Sequence, residues 1–229
     1  LVDKSVISQI RSVSLDDLLD RAPIHLETGL LQGMVAGKCV LITGAGGSIG
    51  SELARQISVL RPHTLILYER HENSLYLIAK QLEDSGCSSF VRPVIGDVTD
   101  VRRLSLVMKQ YRPNIMFHAA AHKHVPLVEL NVAEALKNNC MVMGATKRVA
   151  ELIGQDVAQH SSTRFLTVRF GNVLGSSGSV LLRFKEQIEL GGPVTVTHPE
   201  IRRYFMLIPE AVHLVLQAAS LGVQGAIYV

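Results

Sequence analysis

The sequence predicts an α/β protein built on a doubly wound parallel sheet. Three observations predict it. Short segments are apolar along their whole length, as strands buried on both faces are. Segments with apolar residues at helical spacing alternate with them. A glycine-rich turn follows the first of these strands directly.

The elements follow in order. Ser14–Leu31 is a mixed lead-in, and Ser14 followed by Asp16 and Asp17 marks a helix start. Cys39–Thr43 (CVLIT) is a strand, Gly44–Gly50 a loop, and Ser51–Leu60 a helix with Leu53, Ile57 and Leu60 on one stripe. Thr64–Tyr68 is a strand. Ser74–Leu82 is a helix that turns Leu75, Ile78, Ala79 and Leu82 inward. Phe90–Ile95 (strand) and Asp100–Tyr111 (helix, with Asp100 as its cap) make a third strand–helix pair, and Ile115–His118 is a fourth strand.

The alternation then breaks. Val132–Asn139 and Val142–Ile153 both read as helices with no strand between them. Two crossover helices in succession need one on a parallel sheet, so a fifth strand is expected there. Alternation resumes with a strand at Phe165–Phe170, a helix at Val180–Ile188, a strand at Val194–Thr197, a helix at Glu210–Leu221 and a strand from Ala226. The expected organisation is a lead-in over 1–34, a cofactor domain over 35–170, and a partial substrate-binding region over 171–229, truncated at its C-terminal end.

Composition narrows the function classes. Of 229 residues, 47% are apolar, enough for a full core. The net charge of +3 is mild and no basic run occurs, which argues against nucleic acid as a partner. Cys39, Cys87 and Cys140 share no CxxC spacing and read as reduced thiols. No apolar run approaches the ~18 residues of a membrane span, and Leu1–Ile10 has no signal-peptide pattern. The expectation is a cytoplasmic chain, with a membrane anchor only in a longer parent protein.

The loop Thr43-Gly44-Ala45-Gly46-Gly47-Ser48-Ile49-Gly50 carries glycines at GxxGxxG spacing. Gly44 permits the tight turn, Gly47 lets backbone approach a pyrophosphate, and Gly50 lets helix and sheet pack closely. Ser48 and Ile49 of the loop are further cofactor-binding candidates, and the N-terminus of the helix that follows offers N–H groups and partial positive charge to phosphate. An acid follows at the end of the second strand: Glu69 lies 19 residues beyond Gly50, placed to accept ribose hydroxyls and to favour NAD. Arg70 beside it suits a 2′-phosphate, so NADP stays open, with NAD favoured. Asp97 and Val98 follow the third strand where an adenine binds, although a turn aspartate has the same sequence. Ala119 and Ala120 follow the fourth strand and leave room for a cofactor against backbone, as alanines in a packed turn also do.

Several motifs carry a family resemblance. TGAGGSIGSELARQI (43–57), GDV (96–98), FHAAAHKHVPLVE (117–129), MGATKRVAE (143–151), RFGNVLGSSGSV (169–180) and the stretch from THPE to RYFM (197–206) resemble the extended short-chain dehydrogenase/reductases. More narrowly, they resemble the polysaccharide-biosynthesis (CapD-like) nucleotide-sugar 4,6-dehydratases. In the wider superfamily the helix at 143–151 carries Tyr-x-x-x-Lys. Here Met143 holds the tyrosine position, and a thioether has no proton to exchange. The resemblance implies that Lys147, four residues on, holds the nicotinamide ribose.

It also implies an adjacent Asp-Lys acid/base pair after the fifth strand. The sequence has no such segment. It would fall between Met141 and Val142, where the alternation independently lacks a strand, and the shortfall is roughly 30 residues, about one βα unit. Asn172 and Arg203 correspond to substrate contacts, and a surface role for Arg203 stays open. Lys123 and His124 correspond to pocket-lining positions, with solvated loop residues as the alternative. His118, His122 and His124 have no partner set for a metal, so none is expected.

The reaction implied is a redox-neutral dehydration of a UDP-sugar, UDP-N-acetylglucosamine first, by a homo-oligomer. Hydride leaves C4 for the nicotinamide, water leaves across C5–C6, and hydride returns to C6. A nucleotide-sugar 4-epimerase and an inactive NAD(P)-binding module are the alternatives.

Overall fold

The computed structural model describes residues 28–121, 130–131, 145–176, 179–196 and 198–229. A helix α1 (Thr28–Val35) leads into β1 (Cys39–Thr43), α2 (Ser48–Val59), β2 (Thr64–Glu69), α3 (Glu72–Asp84), β3 (Val91–Ile95), α4 (Val101–Tyr111) and β4 (Ile115–His118). The four strands form one parallel sheet in the order β3-β2-β1-β4. The chain therefore starts in the middle and winds outward on both sides, as its apolar strands predicted.

Period-two alternation sorts the strand residues between two cores. Val40, Ile42, Leu65 and Leu67 face one side, with Leu53 and Ile57 of α2 and Leu75 and Ile78 of α3. Leu41, Ile66 and Tyr68 face the other, with Val107 of α4. Leu31 and Val35 of α1 join the first core, as do Val212 and Leu216 of the later helix α7 (Ile208–Leu221). The region after 171 thus reaches back onto the sheet. Gln56 Nε2 also donates to the Pro209 carbonyl, at 3.2 Å.

Most boundaries match the expected ones within a turn. Helix α2 begins at Ser48, inside the glycine loop, because Ser51 N already bonds Gly47 O at 2.8 Å. Asp100 caps α4, its side chain accepting from Arg103 N at 3.0 Å. Asp100→Ala should lower stability by about 1 kcal/mol in urea unfolding, since the helix loses its capping acceptor.

The later elements depart from expectation. Helix α5 spans Ala145–His160, running past Ile153. The strand expected over Phe165–Phe170 shrinks to β5 (Thr167–Val168). It pairs with β8 (Ile227–Tyr228), not with the main sheet. A pair not anticipated joins β6 (Asn172–Val173) to β7 (Phe205–Met206). Helix α6 (Val180–Glu189) forms as expected. The strand expected at Val194–Thr197 does not form over 194–196, and Thr197 lies outside the described residues. There the Gln187 side chain takes both Thr195 N (3.1 Å) and Thr195 Oγ1 (2.9 Å), so the backbone bonds a side chain where a strand would bond a neighbour.

Among the described residues, β4 pairs with β1 alone, and its outer edge carries no strand. The expected helices from Ser14 and at Val132–Asn139, and the junction 141–142, lie outside the described residues. Among the described residues no helix is long and apolar enough to cross a membrane.

Candidate functional site

The carboxyl edge of the sheet opens into a cavity of about 640 Å³. The glycine loop forms its floor. Gly44 has φ +67°, and a Cβ there would lie 2.7 Å from the Ala120 backbone, so glycine lets the turns after β1 and β4 touch. A Cβ on Gly50 would lie 2.0 Å from Gly44 O, which closes α2 against the loop. Gly47 lines the cavity, and a Cβ there would meet Gly44 O alone, at 3.3 Å. Ser48 and Ile49, the first residues of α2, also line it. The helix N-terminus and bare backbone on one wall are what a pyrophosphate requires, so the residues present fit a dinucleotide.

The three spaced glycines were legible in the sequence; the fourth was not. A Cβ on Gly46 would lie 2.4 Å from Ser74 Cβ, and Gly46 N donates to Glu69 Oε2 at 3.0 Å. The signal was the extra glycine itself, outside the three-glycine spacing.

Glu69 is buried at the end of β2. Its Oε1 accepts from Arg70 N (2.9 Å) and His71 N (3.0 Å), so it fixes both the loop and the β2–α3 turn. The Arg70 guanidinium lies 3.5 Å from Asp97 Oδ2, and Asp97 Oδ1 accepts from Thr99 N and Oγ1, each at 2.8 Å. The Thr99 N–H, above the other causes, holds the Asp97 carboxyl below the usual carboxylate range. Glu69, Arg70 and Val98 line the cavity, whereas Asp97 and Gly50 stand just behind the lining. Across the β1–β4 register pair, His118 Nδ1 and Thr43 Oγ1 are 2.7 Å apart.

Ala119 and Ala120 line the cavity beside Gly44, and Phe170, Gly171 and Asn172 line it as well. Asn172 comes from β6, whose N–H bonds the Tyr204 carbonyl at 3.1 Å. Arg203 is not brought to the cavity lining: it is exposed, and its Nη1 donates to the Arg202 carbonyl at 2.9 Å. Its segment is solvent-facing, with Tyr204 beside it 93% exposed, so no packing turns the guanidinium inward. Lys147 is on the first turn of α5, and only its place on that helix is described. Lys123, His124 and Met143 lie outside the described residues, as does His122. One residue pair had not been anticipated: Arg169 Nε and Nη2 both donate to the buried Glu151 carboxylate, fastening α5 to the strand end before Phe170.

A parallel sheet with a glycine loop on its central strand and a cavity at its carboxyl edge is a Rossmann-type architecture of the extended short-chain dehydrogenase/reductase class. Solved structures agree with that class. "Pen" from Bacillus thuringiensis is 30% identical, with a TM-score of 0.72 over 80% of this chain and 67% of that one. The Bordetella bronchiseptica enzyme WbmF, solved in complex with NAD+, is 15% identical, with a TM-score of 0.69 over 85% of this chain and 73% of that one. The chain belongs to the polysaccharide biosynthesis protein family, whose sequence profile matches residues 40–142 and 139–229.

Three curated relatives extend the comparison. The "Probable polysaccharide biosynthesis protein EpsC" of Bacillus subtilis is 45% identical over 260 residues, covering 100% of this chain and 44% of that protein. The capsular polysaccharide biosynthesis protein CapD of Staphylococcus aureus is also 45% identical, over 97% of this chain and 43% of that protein. A UDP-N-acetylglucosamine 4,6-dehydratase (inverting) of Campylobacter jejuni is 32% identical, over 80% of this chain and 64% of that protein. The chain therefore spans less than half the length of EpsC and CapD.

Proposed function

We propose that this chain is the NAD(P)- and substrate-binding framework of a nucleotide-sugar 4,6-dehydratase acting on UDP-N-acetylglucosamine. One observation carries the reading: the dinucleotide loop and the strand end bearing Asn172 line a single cavity. A bound nicotinamide therefore has a sugar-binding wall beside it. The dehydratase named among the relatives gives the substrate class.

The dinucleotide, when bound, supplies a hydride acceptor and donor. The chain's own residues bind and orient. The Gly44–Gly50 loop and the α2 N-terminus take the pyrophosphate. Glu69 and Arg70 flank the adenosine ribose, and Lys147 serves the nicotinamide ribose. Asn172 faces the sugar nucleotide, with Lys123 and His124 as further pocket residues and Arg203 as a diphosphate clamp recruited from the exposed segment before β7.

Proton transfer is the missing function. Met143 has no exchangeable proton. We place the acid/base pair on a βα unit between Met141 and Val142. Three observations support that placement. The outer edge of β4 carries no strand among the described residues. The family profile matches in two stretches that meet at 139–142. The EpsC alignment needs 260 positions for a 229-residue chain, leaving roughly 30 without a counterpart, about one βα unit.

Product mass tests the reaction class on a chain supplied with that unit. Dehydration removes one water from the sugar nucleotide, whereas an unchanged mass with inverted C4 would make the protein an epimerase.

Cofactor choice gives a second test. Wild type should bind NAD more tightly than NADP. Glu69→Ala should narrow the preference and weaken both, because Gly46 N loses its acceptor. A wild type that prefers NADP, with Arg70→Ala reversing the order, would assign the choice to Arg70. Calorimetry with both dinucleotides reads either outcome.

A further inference from the structure

The stretch of cavity lining that carries Asn172 has no place in the main sheet. Among the described residues, β5 pairs with β8 and β6 pairs with β7, each as a separate two-stranded pair. The register of the main sheet therefore does not set where Phe170, Gly171 and Asn172 stand relative to the dinucleotide loop. Helix α5 supplies a link instead. The Arg169 backbone N–H donates to the Tyr228 carbonyl at 2.8 Å, and its guanidinium donates through Nε and Nη2 to the buried Glu151 carboxylate of α5. Phe170 is the next residue in the chain, and Phe170, Gly171 and Asn172 all line the cavity. Lys147 precedes Glu151 by four residues on the same helix, about one turn. Two other bonds join α5 to this part of the chain: Gln155 Nε2 donates to the Gly225 carbonyl at 3.4 Å, and Gln224 Nε2 to the Ala158 carbonyl at 2.6 Å. Both lie further along α5 from Lys147, and both reach the turn before β8, not the strand end at the cavity. Of these three links, the Arg169–Glu151 contact alone sets charge against buried charge, through a planar fork that fixes direction as well as distance.

We infer that Arg169 and Glu151 are a positioning pair that couples the two ligands: they hold Phe170–Asn172 at a set distance from the first turn of α5, so that a dinucleotide bound against Lys147 also orders the stretch that meets the sugar nucleotide. The inference rests on the proposed reading, in which Lys147 serves the nicotinamide ribose and Asn172 faces the sugar nucleotide. It goes beyond that reading, to how one ligand prepares the site of the other. A dinucleotide that fixes α5 fixes the strand end through the fork, and the sugar nucleotide then binds without ordering it again. The coupling is reciprocal, because each ligand must change the other's affinity by the same factor.

Calorimetry on the full chain measures the affinity for UDP-N-acetylglucosamine with and without saturating NADH. The reduced dinucleotide cannot take a hydride from C4, so the complex stays unreacted. Wild type should bind the sugar nucleotide about fivefold or more tightly with NADH present, the lower end of typical coupling between sites. Arg169→Lys keeps a cation opposite Glu151 and replaces the fork by a point contact, which should bring the ratio below about twofold. Glu151→Leu combined with Arg169→Met removes both charges together, leaves no unpaired carboxylate in the interior, and should lower the ratio in the same way. Each ratio compares two affinities of one variant, so a purely structural loss weakens both and leaves the ratio standing. An Arg169→Lys protein or a double variant that keeps the wild-type ratio overturns the positioning role. A wild type that binds both ligands with no effect of one on the other overturns the coupling and leaves both sites in place. A wild type that binds only one of the two overturns the reading on which the inference rests, and the inference with it.

Discussion

Inserting the βα unit of a full-length relative between Met141 and Val142 is expected to turn a chain that binds its ligands without reaction into one that dehydrates UDP-N-acetylglucosamine. The expected gain is at least about 10²–10⁴-fold, the range that positioned acid/base groups contribute. Mass spectrometry of the sugar nucleotide reads it, as the appearance of a product lighter by one water. The physical argument joins chemistry to packing. No group at the Met143 position can move a proton, and among the described residues the outer edge of β4 carries no strand, which leaves it open to one more parallel strand. That strand's carboxyl end would reach the same edge of the sheet as Ala119, Ala120 and the glycine loop. Full turnover by the 229-residue chain without the insert would place the acid/base among residues already present and remove the reason for a fifth strand.

Gly47→Val is the second change with a large expected effect. The Cβ itself is tolerable, because it meets only Gly44 O, at 3.3 Å. The two methyl groups beyond it enter the cavity at the mouth of α2, where pyrophosphate must approach bare backbone. Cofactor affinity should fall about 100-fold or more, equivalent to about 2.7 kcal/mol. Circular dichroism and the melting curve should stay near wild type. Gly50→Ala makes the contrast, since its Cβ would lie 2.0 Å from Gly44 O and cannot be placed without moving the loop. That variant should lose stability as well as cofactor. Undiminished NAD and NADP binding by the Gly47→Val protein would dissociate the loop from the cofactor.

The first half of the molecule was readable because its signals are local. The apolar runs at Cys39–Thr43 and Thr64–Tyr68 became central strands, and the glycine spacing became the cavity floor. Asp100 capped the helix it was expected to cap. Each of these follows from a few adjacent residues and their steric or hydrogen-bonding preferences. The site was partly readable for the same reason. Glu69, Arg70, Val98, Ala119 and Ala120 reached the cavity lining, since the ends of parallel strands share one edge, and Asn172 reached it from β6, in a separate two-stranded pair.

The remainder depended on contacts between residues far apart in sequence. Val194–Thr197 has strand composition, yet the Gln187 side chain claims Thr195, and composition does not carry that competition. Phe165–Phe170 is apolar enough for a central strand, yet only Thr167–Val168 pairs, with Ile227–Tyr228. Arg203 matched a motif but faces solvent, because a motif fixes residue type and not side-chain direction. The sequence by itself determined the sheet's character, the dinucleotide loop and the family resemblance, through periodicity and spacing. The tertiary structure alone decided that Glu69 clamps Gly46, that Tyr68 braces the Asp97 turn, and that Arg169 locks Glu151. Each of those bonds joins chain segments brought together only when the strands align and the helices pack, so no local pattern could have announced them.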